Sequence, residues 1–131
     1  MIVSLHVATG AAGGALARSR TGAVALGLLL HALGDAVPHH DIESRRFEIR
    51  SGVACALALA ARYGALSPVT VGALAASAPD LEHVLRLPQP GGRKLFPSHR
   101  VEGWHREGGL PTWAQLLAAG AIVGYLLGSR R

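Results

Sequence analysis

Residues 31 to 41, HALGDAVPHHD, set three histidines and two aspartates into eleven positions directly behind the apolar run Val24 to Leu30. Imidazole nitrogens and carboxylate oxygens are donors that hold zinc, manganese or iron. The single cysteine, Cys55, excludes an internal disulfide and a thiolate zinc knuckle, so any metal here is held by His, Asp and Glu. Within GVACALALAA, Cys55 reads as a small buried packing residue. His31 and Asp35 are four positions apart, so on a helix they share one face. Both can then reach one ion, or Asp35 can orient His31. Pro38 disfavours helical geometry at Val37 and turns the chain, which brings His39, His40 and Asp41 back toward the helix end. Histidines that merely complement a helix C-terminal dipole are the competing explanation.

Three further places carry the same chemistry. In PDLEH, Asp80 and His83 are three apart and share a helical face, with Glu82 pointing elsewhere. In SHRVEGWHRE, His99 and His105 accompany Glu102 and Glu107 in a stretch with loop composition. His6, in SLHVATGAAGG, lies in an apolar helix where a polar ring needs a partner such as His31 or Asp80. All seven histidines fall in or beside these segments, as expected of a site built between facing helices of a bundle. The expected inner set is His6, His31, Asp35, Asp80 and His83, with His39, His40 and Asp41 second and His99 and His105 supplied by the loop. One or two ions, zinc before manganese or iron, would activate water. Glu82, Glu102 or Glu107 would serve as general base, and Arg100 or Arg106 would hold a phosphate oxygen.

The elements that must position these groups are helical. Alanine, leucine and glycine dominate and alternating β-branched residues are scarce, which predicts an all-α bundle of about five apolar helices over 3–17, 21–37, 47–63, 67–86 and 110–128. A long loop, 87–111, is dense in proline and glycine. A chain of 131 residues fits one domain. The first seventeen residues lack a basic region and are interrupted by His6 and glycines, so no cleaved signal peptide is expected.

Hydrophobic residues make up 50% and charged residues 16%, well under the roughly 25% charged of ordinary globular domains, which predicts membrane association. The net charge of +5 comes from arginines spread between apolar stretches, and aromatics are only 5%, a pattern that argues against a nucleic-acid partner. Leu110 to Gly128 carries no charge, begins near Trp113 and is followed by Arg130 and Arg131. Its nineteen residues would span about 28 Å, so it is a candidate transmembrane helix. Gly120, Gly124 and Gly128 clear one face of it for a second copy.

PDLEH followed by HRVEGWH resembles the PD-x-DH and HRG-x-TH signatures of the YdjM-like membrane-bound metal-dependent hydrolases, with Glu82 standing for the second aspartate. HALGD followed by Pro38 and His40 resembles the zinc motif of phospholipase C and related single-strand nucleases. The first resemblance implies a metal role for His6, Asp80, His83, His99 and His105, and the second for His31, Asp35 and His40. Together they imply a metal-dependent hydrolase of the inner or cytoplasmic membrane, acting on a phosphorylated or lipid substrate. The rival expectations are a non-catalytic helical membrane protein whose His and Asp clusters tie helices or bind a partner, and a soluble metal-binding bundle.

Overall fold

Serine caps and a glycine stop divide the chain into helices. The computed structural model describes residues 1–85 and 89–129. The expected helix end at Arg86, the loop residues Leu87 and Pro88, and the Arg130 and Arg131 pair lie outside the described residues. Helix α1 is Val3–Leu16. Ser19 accepts from Gly22 N at 3.0 Å and opens α2, Arg20–Ala36. Ser44 likewise caps α3, Arg45–Tyr63, which stops at Gly64 with φ +91°. Ser67 accepts from Thr70 N at 3.2 Å, Pro68 fills the first turn, and α4 runs Pro68–Ser77.

The fourth helix is shorter than the expected 67–86. Pro79 cannot donate to an α-helical hydrogen bond, and the chain tightens into a 3₁₀ turn at Ala78–Asp80 before the single turn α5, Leu81–Val84. The expected loop also contains a helical turn, α6, Pro97–Arg100, which carries His99. Helix α7 is Thr112–Gly128.

The result is an all-α compact bundle with α1 at its centre, packed by α2, α3, α4 and α7. Leu5, Val7, Ala8 and Ala11 of α1 meet Leu59, Val69, Ala73, Ala119 and Val123 in one core. Cys55 is half-buried against it. Small residues bring α1 and α4 almost to backbone contact: a Cβ on Gly72 would lie 2.4 Å from the carbonyl oxygen of Gly10. Gly27 of α2 meets the same stretch, where its Cβ would lie 2.7 Å from the Gly72 oxygen. This approach lets α2 present a side chain to the last carbonyls of α4.

The span expected at 110–128 is not found. Among the described residues no helix is long and apolar enough to cross a membrane. Pro111 ends α7 at its start, and one face of its 17 residues is committed to the bundle. Buried Gln115 accepts from Ile2 N at 3.1 Å and donates to His40 O at 2.8 Å, a polar staple in the first turn of the supposed apolar helix. Gly120, Gly124 and Gly128 face open space rather than a described neighbour, while Gly10, Gly14, Gly27 and Gly72 make the close helix approaches.

Candidate metal centre

His31 is fully buried on α2, and its Nδ1 lies 2.7 Å from the carbonyl oxygen of Ala76 at the end of α4. A carbonyl only accepts, so Nδ1 carries a proton and Nε2 is the ring atom turned toward Asp35. His99 is oriented in the same way. Its Nδ1 bonds the carboxylate of Glu82. That carboxylate also accepts from Leu95 N at 2.6 Å and Phe96 N at 3.3 Å. Burial opposes the charge on Glu82, but these hydrogen bonds outweigh it and hold its pKa below the ordinary value. An ionised Glu82 accepts only, so His99 Nδ1 carries a proton and its Nε2 is the ring atom turned inward, toward Asp35.

The two Nε2 atoms meet 3.2 Å apart. Asp35 Oδ2 lies 3.0 Å from His31 Nε2 and 3.4 Å from His99 Nε2, while Asp80 Oδ1 is 4.0 and 3.9 Å from the same two nitrogens. Ligand atoms around tetrahedral zinc are separated by roughly 3.3 Å, given zinc bonds near 2.0 to 2.1 Å. The four atoms therefore have spacings close to those of a first coordination sphere. His6 stacks on His31 with ring centroids 4.1 Å apart and places Nε2 at 3.2 Å from Asp35 Oδ1. Two groups able to hold a metal ion, His6 with His31 and Asp35, and His31 with Asp80 and His99, thus share His31.

The electrostatics are consistent with a site that wants a cation. Burial of Asp35 disfavours its charge, but His31, His6, His99 and the Ser98 hydroxyl, which donates to Oδ2 at 2.6 Å, hold it far below the usual carboxylate range. Burial raises Asp80 to about 6 and lowers His6 to about 3, so the His6 ring is neutral at ordinary pH. Asp80 Oδ2 and His6 Nδ1 are both buried without a hydrogen-bond partner among the described residues. Buried orphan acceptors are costly, and a donor set of neutral imidazoles and carboxylates fits a divalent ion.

A second group lies close by. His39 is buried, donates from Nδ1 to Val37 O at 2.6 Å and turns Nε2 to within 3.2 Å of Asp41 Oδ1. His105 Nε2 is 3.8 Å from Asp41 Oδ2. Backbone bonds His39 N to Arg106 O at 3.2 Å and Leu110 N to Pro38 O at 2.9 Å zip the two segments together. The Met1 amine touches His39 Nε2 and lies 3.4 Å from Asp35 Oδ1, so the two groups are neighbours.

Several expected residues fall elsewhere. His83 belongs to neither group: its exposed ring receives Lys94 Nζ at 2.6 Å and rests 4.4 Å from the His99 ring, centroid to centroid. Burial, His99 and Lys94 lower it to about 4, so it is neutral. Its side chain is drawn to Lys94 and its carbonyl oxygen to Arg45, at the rim and not in the buried cluster. His40 has an exposed side chain and contributes its backbone, accepting from Gln115. Glu82 is engaged in positioning His99. Glu102, Arg106 and Glu107 are exposed, and Arg100 lines a separate groove with Arg93. Ser98, on Asp35, was not anticipated; its place in a proline-led turn beside His99 was the available signal.

Neither a family model, nor a curated protein, nor a solved structure matches this chain.

Proposed function

We propose that the chain is a membrane-associated, metal-dependent hydrolase of phosphoesters, with His31, Asp35, Asp80 and His99 as its principal ligands and His6 beside them. The observation that carries this reading is the convergence of potential ligand atoms on rings fixed from behind. His31 and His99 have each spent their Nδ1 proton on a fixed acceptor, and their Nε2 atoms face each other at 3.2 Å across Asp35 Oδ2. Acceptor atoms that close repel unless a cation or proton lies between them.

Zinc suits such a set, with manganese and iron compatible. Bound there, the ion would supply Lewis acidity and lower the pKa of a coordinated water toward neutrality. Glu82 and Ser98 would keep His99 and Asp35 in register. Asp80, whose Oδ2 is buried without a partner among the described residues, would have that second oxygen free to accept a hydrogen bond from the water. The resemblance of PDLEH and HRVEGWH to membrane-bound metal-dependent hydrolases supports the same class. Membrane association is supported by apolar side chains left outward on α3 and α7, including Leu57, Trp113, Leu117 and Tyr125.

A non-catalytic reading has one observation in its favour. Asp35 ties α1, α2 and α6 together through His6, His31, Ser98 and His99, which is a structural role in itself. Elemental mass spectrometry decides between them, on untagged protein purified in mild detergent without chelator, beside the His31→Ala, Asp35→Ala double variant. Near-stoichiometric zinc, manganese or iron in the unaltered protein alone, with phosphatase activity that follows the metal, supports the hydrolase. Metal-free protein that stays helical removes it. Retention in the membrane fraction after an alkaline wash tests the location separately.

A further inference from the structure

A cavity of about 660 Å³ opens beside the metal centre, with Asp80 and His99 in its wall. Pockets of this size hold ligands larger than a lone phosphate. Two cations reach its rim from different elements and meet at one residue. Arg45, at the start of α3, donates to the carbonyl oxygen of His83, and Lys94, ahead of α6, reaches the His83 ring at 2.6 Å. Their hydrogen bonds go to a carbonyl and an imidazole instead of a carboxylate, so their charge is available to a ligand. Among the acids on the same wall, Glu48 accepts from Val3 N at 3.4 Å and feels the charge of Arg45 without an ion pair to it among the described residues, Asp41 faces His39 and His105, and Asp80 belongs to the candidate centre. The lining also includes apolar side chains, among them Ile49 of α3 and Val84 of α5.

We propose that this cavity selects a phosphate monoester of an apolar alcohol, with Arg45 and Lys94 receiving the phosphate and Ile49 and Val84 the hydrocarbon. Two adjacent cations match the monoester, which carries close to two negative charges at neutral pH, better than a diester with one. The His83 and His99 rings are 4.4 Å apart, so a phosphate held at His83 is next to the metal ligands. Turnover rests on the hydrolase reading above, whereas binding does not. In turnover a water oxygen joins phosphorus, the bond from phosphorus to the alkoxide oxygen breaks, and the water's proton passes to the alkoxide, releasing the alcohol and inorganic phosphate.

Equilibrium binding of octyl phosphate, inorganic phosphate and the diester methyl octyl phosphate tests the selection, on metal-loaded and on chelator-treated protein. Octyl phosphate is expected to bind about tenfold or more tightly than either competitor, a loss of about tenfold is expected in the double variant Arg45→Gln, Lys94→Gln, and the uncharged pair Ile49→Ser, Val84→Ser should reduce octyl phosphate toward the level of inorganic phosphate while leaving inorganic phosphate unchanged. Circular dichroism and metal content of each variant establish that fold and metal centre are intact. Sedimentation with phosphatidylcholine vesicles, with or without phosphatidic acid, separates the two sources of such a ligand. Binding to phosphatidic acid vesicles that is lost in the double variant assigns a lipid, and binding of soluble octyl phosphate alone assigns a dispersed monoester. Octyl phosphate that binds no better than inorganic phosphate or the diester overturns the proposal, as does a folded double variant with unaltered affinity. Because the chelator-treated protein is measured in parallel, failure of the metal reading shows in elemental content and leaves the cavity result standing.

Discussion

His31 Nε2 and His99 Nε2 face each other at 3.2 Å although 68 positions separate the two residues. Each ring is held from behind, His31 by the Ala76 carbonyl and His99 by Glu82. The geometry of the candidate centre therefore depends on groups that would not touch an ion held there.

Glu82 is a positioning residue, and Glu82→Gln should show it. Burial lowers the basicity of His99, but Asp35 and Glu82 outweigh it and hold the ring above its ordinary pKa. Removing the Glu82 charge lowers the His99 pKa, so protons compete less well for the ring. Metal affinity at pH 8 should fall about 10- to 100-fold, and in chelator-treated protein the His99 ring should titrate at lower pH than in the parent. A metal titration at pH 8 and an imidazole NMR titration of the chelator-treated protein check the two signs, and a variant unchanged in both would remove the role.

Asp80 makes the apo protein pH-sensitive. Its folded pKa is about 6 against an ordinary 3.8, with burial as the main cause. Between those values the folded state holds a proton that the unfolded chain has released, so the contribution is fully present below pH 3.8 and is lost as pH rises through 6. Asp80→Asn should stabilise chelator-treated protein at pH 7.5 by on the order of 2 kcal/mol, should do little at pH 4, and should weaken metal binding. Urea unfolding at the two pH values gives the comparison, in which His6 and the other groups cancel between the two proteins.

The approach of α1 to α4 should tolerate no side chain. A Cβ on Gly72 would stand 2.4 Å from the Gly10 oxygen and 3.0 Å from Gly14, both backbone that cannot rotate aside. Gly72→Val is expected to cost about 3 kcal/mol or more and to withdraw the Ala76 carbonyl from His31. Thermal unfolding with metal content measures both losses. A variant as stable as the parent would contradict the packing.

Gly109 should control the second group alone. Its φ is +75°, and a Cβ there would meet the Pro38 oxygen at 2.6 Å, where the segment of His105 is zipped to that of His39. Gly109→Ala should separate His105 from Asp41 while leaving His31 and Asp35 ordered. Imidazole NMR signals would report it: shifts confined to His39 and His105 are expected, and equal disturbance of His31 would disprove the separation.

Local chemistry made much of this legible. Ser19, Ser67 with Pro68, and Gly64 mark helix ends through their own neighbours, so all five long helices could be read to within a few residues at most ends. The share of His31 and Asp35 in one site follows from helical spacing, and the need of His6 for a buried partner follows from its apolar surroundings. His99 was expected from the loop, but its place among the inner groups depends on Glu82 behind its ring and on the turn α6, neither of which its loop-like composition announces. The exclusion of His83 was not legible, because its ring is engaged by Lys94 and its carbonyl by Arg45 of another helix.

By itself, then, the sequence determined that this protein is helical, that its only abundant metal donors are His and carboxylate, and that several of them cluster at helix ends. Those properties reside in side chains and in nearest-neighbour backbone preferences. Tertiary structure alone decided which donors converge, which way each imidazole turns and that α7 belongs to the bundle. Those outcomes hinge on contacts between distant segments: Gly10 against Gly72, Glu82 behind His99, Ala76 behind His31 and Gln115 on Ile2 and His40. A lone pair is aimed by the partner at the other end of its ring, and no local pattern specifies a partner 45 positions away, as Ala76 is from His31.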